Sequence, residues 1–117
     1  MAKQNKDYGY DIQKLYLEMM LQNAETFVRC QSIFDHSLFD RKLQDTAQFI
    51  NKYVTDYNQL PTYDIVNKSC SVDLKHTEQL TEEHFDWLLN DFETFVRHKS
   101  LERAILKSAD MLEKGEY

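Results

Sequence analysis

The chain has 117 residues, of which 42% are hydrophobic and 29% charged, and this length and composition suit one folded domain. Its 2 glycines and 1 proline favour helices, because turn-rich β folds need more of both residues. The net charge of −6 argues against nonspecific binding of nucleic acid by this chain alone, since phosphate binding needs a cationic surface.

The sequence also indicates the cellular location of the protein. The N-terminal residues 1–11 contain no apolar core of a signal peptide, and no apolar run approaches the roughly 18 residues of a membrane-spanning helix. We therefore expect a cytoplasmic protein without a membrane partner. Cys30 and Cys70 have neither metal nor redox spacing, so they are predicted to be free thiols, with a disulfide between them as the alternative.

The N-terminal part of the chain contains the first predicted helix. Residues 1 to about 8 are polar and are expected to be frayed. A helix is predicted from Tyr10 to about Gln22, because apolar residues recur there at helical spacing. These residues are Ile12, Leu15, Tyr16, Met19 and Met20. We interpret the two methionines as core-filling residues, since Met packs irregular gaps.

A short second helix and a connector come next. Asn23 can cap a helix from Ala24 to about Cys30, because an Asn side chain accepts hydrogen bonds from the first free backbone N–H groups. Phe27 and Val28 are expected to face inward. Residues 32–36 read as a connector with apolar anchors.

The third and fourth helices are separated by a proline. A helix is predicted from Ser37 or Asp40 to about Asn58, because five apolar residues share one face. They are Leu43, Ala47, Ile50, Val54 and Tyr57. Pro61 disfavours the α conformation at the residue before it, and Thr62 can cap a short helix over about residues 63–68.

Residues 69–80 show the weakest pattern. Val72, Leu74 and Leu80 are expected to touch the core between polar residues. Cys70, His76 and His84 invite a zinc interpretation, but their spacing fits no compact ligand pattern and a fourth ligand is missing. We therefore predict no metal site.

The last predicted helix, from Thr81 to about Lys114, is roughly 50 Å long at 1.5 Å per residue. Its apolar stripe changes face near residues 97–100, by about 170° at 100° per residue. The first stripe comprises Phe85, Leu88, Leu89, Phe92, Phe95 and Val96, and the second comprises Leu101, Ala104, Ile105, Ala109 and Leu112. One straight helix cannot bury both stripes against one neighbour. Either the second half packs on another partner, or the helix bends and both halves join one core.

These residues also carry a family resemblance. The pattern Phe95-Val96-Arg97 through Ser100-Leu101-x-Arg103, followed by Ala109 and Leu112-Glu113-x-Gly115-x-Tyr117, resembles the N-terminal domain of DnaB-type replicative helicases, most of all those of large tailed phages. The pair Leu38-Phe39 and the order long helix, Pro61, short helix are similar to that family as well. The resemblance implies an all-α fold: a small helical bundle over about residues 10–97, and a protruding arm over about residues 98–115. That arm would be the first arm of a helical hairpin.

The resemblance also implies a function. In the family, such domains pair through their hairpins into a collar above a ring of six ATPase domains, and the collar receives primase or a helicase loader. The residues of the arm that would make this homo-oligomeric contact are Leu101, Ala104, Ile105, Ser108 and Leu112. Ser108 is small and would allow close approach of helices.

The sequence contains no P-loop of the kind that an ATPase domain needs. Its only glycines, Gly9 and Gly115, cannot form the glycine-rich loop whose backbone N–H groups bind phosphate. We therefore expect no enzymatic activity and no cofactor here, with ATP, Mg²⁺ and DNA bound through an ATPase domain of the parent protein. The reading frame is expected to continue past Tyr117, where the hairpin should turn. A stop codon there would favour an alternative, a free-standing phage adaptor or helicase loader, or a regulator that binds a host protein.

Four further residues are candidates for a partner surface. Lys99, Arg103 and Lys107 form a basic row at i, i+4 and i+8, which could contact an acidic partner or DNA, or simply be solvated. Trp87 lies near roughly 200° on the helical wheel, opposite the first stripe. It either covers the edge of the core or anchors an interface, since Trp is enriched at binding hot spots.

Overall fold

A computed structural model describes residues 8–113 and Gly115. Within these residues the elements are helices only, and they pack helix on helix, which confirms the all-α fold class. The α-helices are α1 (Tyr10–Met20), α2 (Ala24–Gln31), α3 (Arg41–Tyr57), α4 (Tyr63–Cys70) and α5 (Glu82–Glu113), and a 3-10 helix spans His36–Leu38. None of the helices in this part of the chain is both long and apolar enough to cross a membrane.

Side-chain caps start three of the helices where the sequence predicts them. The side chains of Asn23, Asp40 and Thr62 each accept a hydrogen bond from a backbone N–H in the first turn of α2, α3 and α4, at 2.9 to 3.1 Å. Each bond satisfies one of the N–H groups that a helix start leaves without a partner. The predicted starts of these helices are therefore confirmed.

Two helices end in the left-handed conformation. Asn58 and Ser71 follow α3 and α4 with φ of 57° and 53°, and Asn is one of the residues that tolerates this conformation at a helix end. The prediction for α4, with an end near Lys68, stops two residues short of Cys70, whereas the prediction for α1 runs two residues past Met20. Local patterns define helix ends less sharply than helix centres.

The core combines aliphatic side chains with a cluster of aromatic rings. The rings come from α1, α2, α5 and the segment around the 3-10 helix, and contacting ring centroids lie 5.4 to 6.1 Å apart. These residues are Tyr16, Phe27, Phe34, Phe39, Phe92 and Phe95. Met19 and Met20 are 3% and 0% exposed, so their predicted role as core residues is confirmed.

Four predictions about individual side chains are wrong. Ile33, expected to anchor its connector to the core, is 37% exposed. Val28 is 58% exposed. The helix α2 buries Phe27, and the next residue, Val28, points about 100° away from it. Tyr57 is 65% exposed, since the last turn of α3 extends past the core. Tyr8 is not frayed but packs on Phe95, with ring centroids 6.0 Å apart. The rest of the predicted frayed segment, residues 1–7, lies outside the described residues.

A buried glutamine that the sequence pattern does not reveal joins three segments. Gln13 in α1 is 2% exposed. Its side-chain amide donates to the carbonyl oxygen of Tyr8 at 2.7 Å and accepts from the backbone N–H of Asp40 at 2.6 Å. Because both polar ends are satisfied, this buried amide avoids the cost of lost solvation. It ties the chain before α1 to the start of α3.

The segment between α4 and α5 is held by the side chain of Asn67. Its amide accepts from the N–H of Leu74 at 2.8 Å and donates to the carbonyl of the same residue at 3.0 Å. Leu74 is thereby buried, and Val72 and Leu80 pack partly buried against the core. The predicted core contacts of this segment are confirmed.

Both cysteines are free thiols, as predicted. Burial raises the pKa of the Cys30 thiol to about 11 and also raises the pKa of Cys70. Since the thiolate is the reactive form, both side chains are neutral and weakly nucleophilic at pH 7.

Candidate interaction surface on the C-terminal helix

The side chain of His84 caps the N-terminus of α5. The backbone N–H of Thr81 donates to Nδ1 of His84 at 2.9 Å, and the Thr81 hydroxyl lies 3.3 Å from the same nitrogen. His84 thus occupies the place of the Glu or Gln in a capping box. Glu82 and Glu83 follow in the first turn, where the helix dipole favours negative charge.

The two halves of α5 have opposite environments. Leu88, Phe92 and Phe95 are 0% exposed, so the first stripe belongs to the core as predicted. Every residue from Ser100 to Glu113 is exposed, although the helix continues without interruption through this region. The alternative in which a bend brings both halves onto one core is therefore wrong. We call residues 98–113 the arm.

The arm carries an exposed apolar stripe. Leu101, Ile105 and Leu112 are 61%, 59% and 61% exposed, and Ala104 and Ser108 lie exposed between them. At 100° per residue all of them lie within about 100° of one another on the helix. The structure thus brings together the five residues that the sequence predicts for self-association. Large apolar side chains grouped in this way are typical of a surface that binds a partner.

Leu106 is an exposed apolar residue that the sequence interpretation missed. It is 67% exposed and lies roughly 140° away from Leu101 on the helical wheel. It lines an open groove between the arm and the 3-10 helix, together with Leu38 and Lys99. Its position could have been predicted from the sequence, since Leu106 lies on the same side of α5 as Phe92 and Phe95, which face the bundle.

The predicted basic row does not behave as one surface. The Lys99 ammonium lies 3.5 Å from the Glu102 carboxylate. The Arg103 guanidinium turns toward the bundle, where Nη2 donates to the carbonyl oxygen and to Oγ of Ser37 at 2.9 and 3.0 Å. Lys107 is exposed. These three side chains therefore have three different environments.

Trp87 lies between core and surface. It is 39% exposed, and its ring centroid is 6.2 Å from that of the fully buried Tyr16. The Tyr16 hydroxyl donates to Oδ2 of Asp91 at 2.6 Å. Trp87 therefore covers the edge of the core, and its exposed part faces roughly the same side of α5 as Leu101 and Ile105.

The Tyr16–Asp91 hydrogen bond predicts a pH dependence of stability. Burial, followed by the bond to Asp91, raises the pKa of Tyr16 well above its usual 10. The neutral Tyr16 side chain therefore makes its full contribution to the free energy of unfolding below about pH 10. This contribution falls as the pH rises further, by at most about 1.4 kcal/mol per pH unit. We expect Tyr16→Phe to show a shallower loss of unfolding free energy between pH 10 and 11, measured by urea denaturation. Equal slopes in both proteins would contradict this assignment, and Tyr57→Phe, at an exposed ring, is the matched control.

The residues considered for zinc do not meet. In the described part of the chain, no group of three or more His, Cys, Asp or Glu side chains is placed to hold a metal ion. His76 instead packs edge-on against the ring of Tyr63, with centroids 5.6 Å apart.

Comparisons with known proteins add no relative. No protein-family model matches the chain, and no match was found among curated proteins or solved structures. Fold and surface together define an all-α domain whose last helix presents an exposed apolar stripe beyond the bundle.

Proposed function

We propose that this chain is the N-terminal collar domain of a hexameric replicative DNA helicase, which pairs subunits through the arm and recruits primase or a helicase loader. The observation that carries the proposal is the exposed stripe of Leu101, Ile105 and Leu112 on an uninterrupted helix. The helicase-like residue pattern of the same helix supports it.

The dimensions of the molecule fit a domain with a protruding arm. Its radius of gyration is 15.8 Å, whereas a compact domain of this length has about 13 Å. Residues 97–113 form about five helical turns beyond Val96, the last residue of α5 that packs on the core. Such an arm places its apolar stripe where another subunit can reach it.

The stripe suits pairing about a twofold axis. In such a contact both subunits use the same surface, so both copies of each apolar side chain become buried in the dimer. Full burial of a Leu or Ile side chain contributes about 1.5 to 3 kcal/mol. Ser108 is small and lies between Leu101 and Leu112 along this surface, which allows two helices to approach closely.

The chemistry of helicase action would lie outside this chain. ATP and Mg²⁺ would bind an ATPase domain of the parent protein, and DNA would be contacted through that domain, in keeping with the net charge of −6 here. The bundle and arm would contribute subunit pairing and partner recruitment.

The proposal predicts pairing and primase binding without ATP turnover. We expect sedimentation equilibrium to show a mass that rises from 14.0 kDa toward twice that value, with a dissociation constant on the order of micromolar, as for small interfaces. The purified chain should bind the primase or loader encoded by the same genome and should lack DNA-stimulated ATPase activity. A chain that stays monomeric and binds neither protein would contradict the proposal, as would ATP turnover that survives purification.

A further inference from the structure

Arg103 bonds the arm to the bundle across 66 residues of sequence. It lies farther along the helix than His98, whose ring contacts that of Tyr8 with centroids 5.4 Å apart. Nη2 of Arg103 donates to the carbonyl oxygen and Oγ of Ser37, and Nη1 lies 3.9 Å from Oδ2 of Asp35. We call Arg103 together with Asp35 and Ser37 the Arg103 clasp. A guanidinium that meets several oxygens at once is held more firmly than a lysine, because its donors are arranged in a rigid fork.

The acceptors of the clasp are held in place by contacts within the bundle. Oδ1 of Asp35 accepts from the N–H and from the hydroxyl of Ser37, at 3.0 and 2.7 Å. The hydrogen bond from the Ser37 hydroxyl is the main cause that keeps the pKa of Asp35 below its usual value, and the Arg103 charge adds to it. The 3-10 helix is in turn anchored by Leu38 and Phe39, which are 8% and 3% exposed. The clasp therefore attaches the arm to a rigid part of the bundle.

The arm needs such an attachment. Isolated helices shorter than about 12–15 residues are marginal in water, and most helical stability in proteins comes from packing. Beyond His98, whose ring contacts Tyr8, the arm has about four turns, and beyond Arg103 about three turns. The clasp thus shortens the part of α5 that stands without contact to the bundle.

We infer that Arg103 is a positioning residue that keeps the arm helical and so preorganises its apolar stripe for pairing. Arg103 lies roughly 160° from Leu101 on the helical wheel, so it faces away from any helix that packs on the stripe. Arg103 therefore affects pairing only indirectly, and this effect rests on the proposed function. The effect of Arg103 on the order of the arm does not depend on that function. A helix that is already ordered binds more tightly, because the fraction of competent molecules is larger.

The test compares two arginines of the same helix. Arg103→Ala removes the clasp, and Arg97→Ala removes an ion pair to Glu93, 3.1 Å long, that lies within the helix. Both changes alter helix propensity equally and in the favourable direction, since Ala is the best helix former. In hydrogen exchange at neutral pH, we expect the amides of residues 100–110 to exchange about two- to tenfold faster in Arg103→Ala, because the two hydrogen bonds and the ion pair of the clasp are exposed to solvent and together contribute modestly. They should not exchange faster in Arg97→Ala. Ser37→Ala, which keeps the carbonyl acceptor, should give a smaller increase.

Measurement of the dimer dissociation constant by sedimentation then distinguishes a failure of the inference about Arg103 from a failure of the proposed function. If the wild-type chain dimerises, Arg103→Ala should raise the dissociation constant by a similar factor while Arg97→Ala leaves it unchanged. Exchange in Arg103→Ala that equals the wild type overturns the inference, and so does faster exchange without weaker pairing. If the wild-type chain is monomeric, the pairing function fails, and the exchange comparison alone decides whether the clasp orders the arm.

Discussion

Replacing Leu101 and Ile105 by glutamate is expected to abolish dimers of this chain. Both side chains are about 60% exposed, at 61% and 59%, so the bundle should stay folded when they change. In a dimer, each glutamate would lose apolar burial of about 1.5 to 3 kcal/mol and would bring charge into the contact. We expect the dissociation constant to rise more than about a hundredfold, measured by sedimentation equilibrium.

A matched control is available on the other side of the same arm. Leu106 is 67% exposed but points away from the stripe, so Leu106→Glu should leave the dimer intact. If the Leu101/Ile105 double variant loses its helical circular dichroism, those residues belong to the main core and the assignment of the arm is wrong. A folded double variant that still dimerises would place the interface elsewhere, for example at Trp87.

Phe92→Ala is expected to cause the largest loss of stability. The Phe92 ring is 0% exposed and lies within 5.6 to 6.1 Å of four other rings. Removing a buried Phe costs about 3 to 5 kcal/mol, because transfer energy is lost and a cavity remains. For a domain of this size, the melting temperature should fall by about 10 to 20 °C, measured by circular dichroism.

Leu112→Ala is the control for this change. It shortens an apolar side chain on the same helix, but Leu112 is 61% exposed, and surface substitutions typically change stability by less than about 0.5 kcal/mol. The comparison should be made at a protein concentration where the chain is monomeric, since dimerisation also raises the melting temperature. A Phe92→Ala variant that melts within a few degrees of the wild type would show that the aromatic cluster does not hold the bundle together.

Much of the fold follows from short-range patterns. The starts of α2 and α4 are predicted by Asn23 and Thr62, because a helix cap depends on groups within one turn. For α3 the sequence pattern left the start open between Ser37 and Asp40. The two apolar stripes of α5 are equally readable, since helical periodicity is a property of neighbouring residues.

Contacts between distant segments could not be predicted in the same way. Gln13 reads as one more polar residue of an amphipathic helix, yet it is buried because it satisfies the backbone of Tyr8 and Asp40 at once. Val28 is predicted to lie in the core, yet α2 packs with Thr26, Phe27 and Cys30 inward and leaves Val28 on its outer face.

For the candidate interaction surface, the composition and spacing of the stripe from Leu101 to Leu112 can be read from the amino-acid sequence alone. The exposure of the stripe is visible only in the folded molecule, because exposure depends on where the bundle ends and not on the helix itself. The bond of Arg103, predicted as part of a basic partner surface, to Ser37 is likewise visible only there. Periodicity is encoded within a few residues, whereas a contact across 66 residues exists only after the helices have packed.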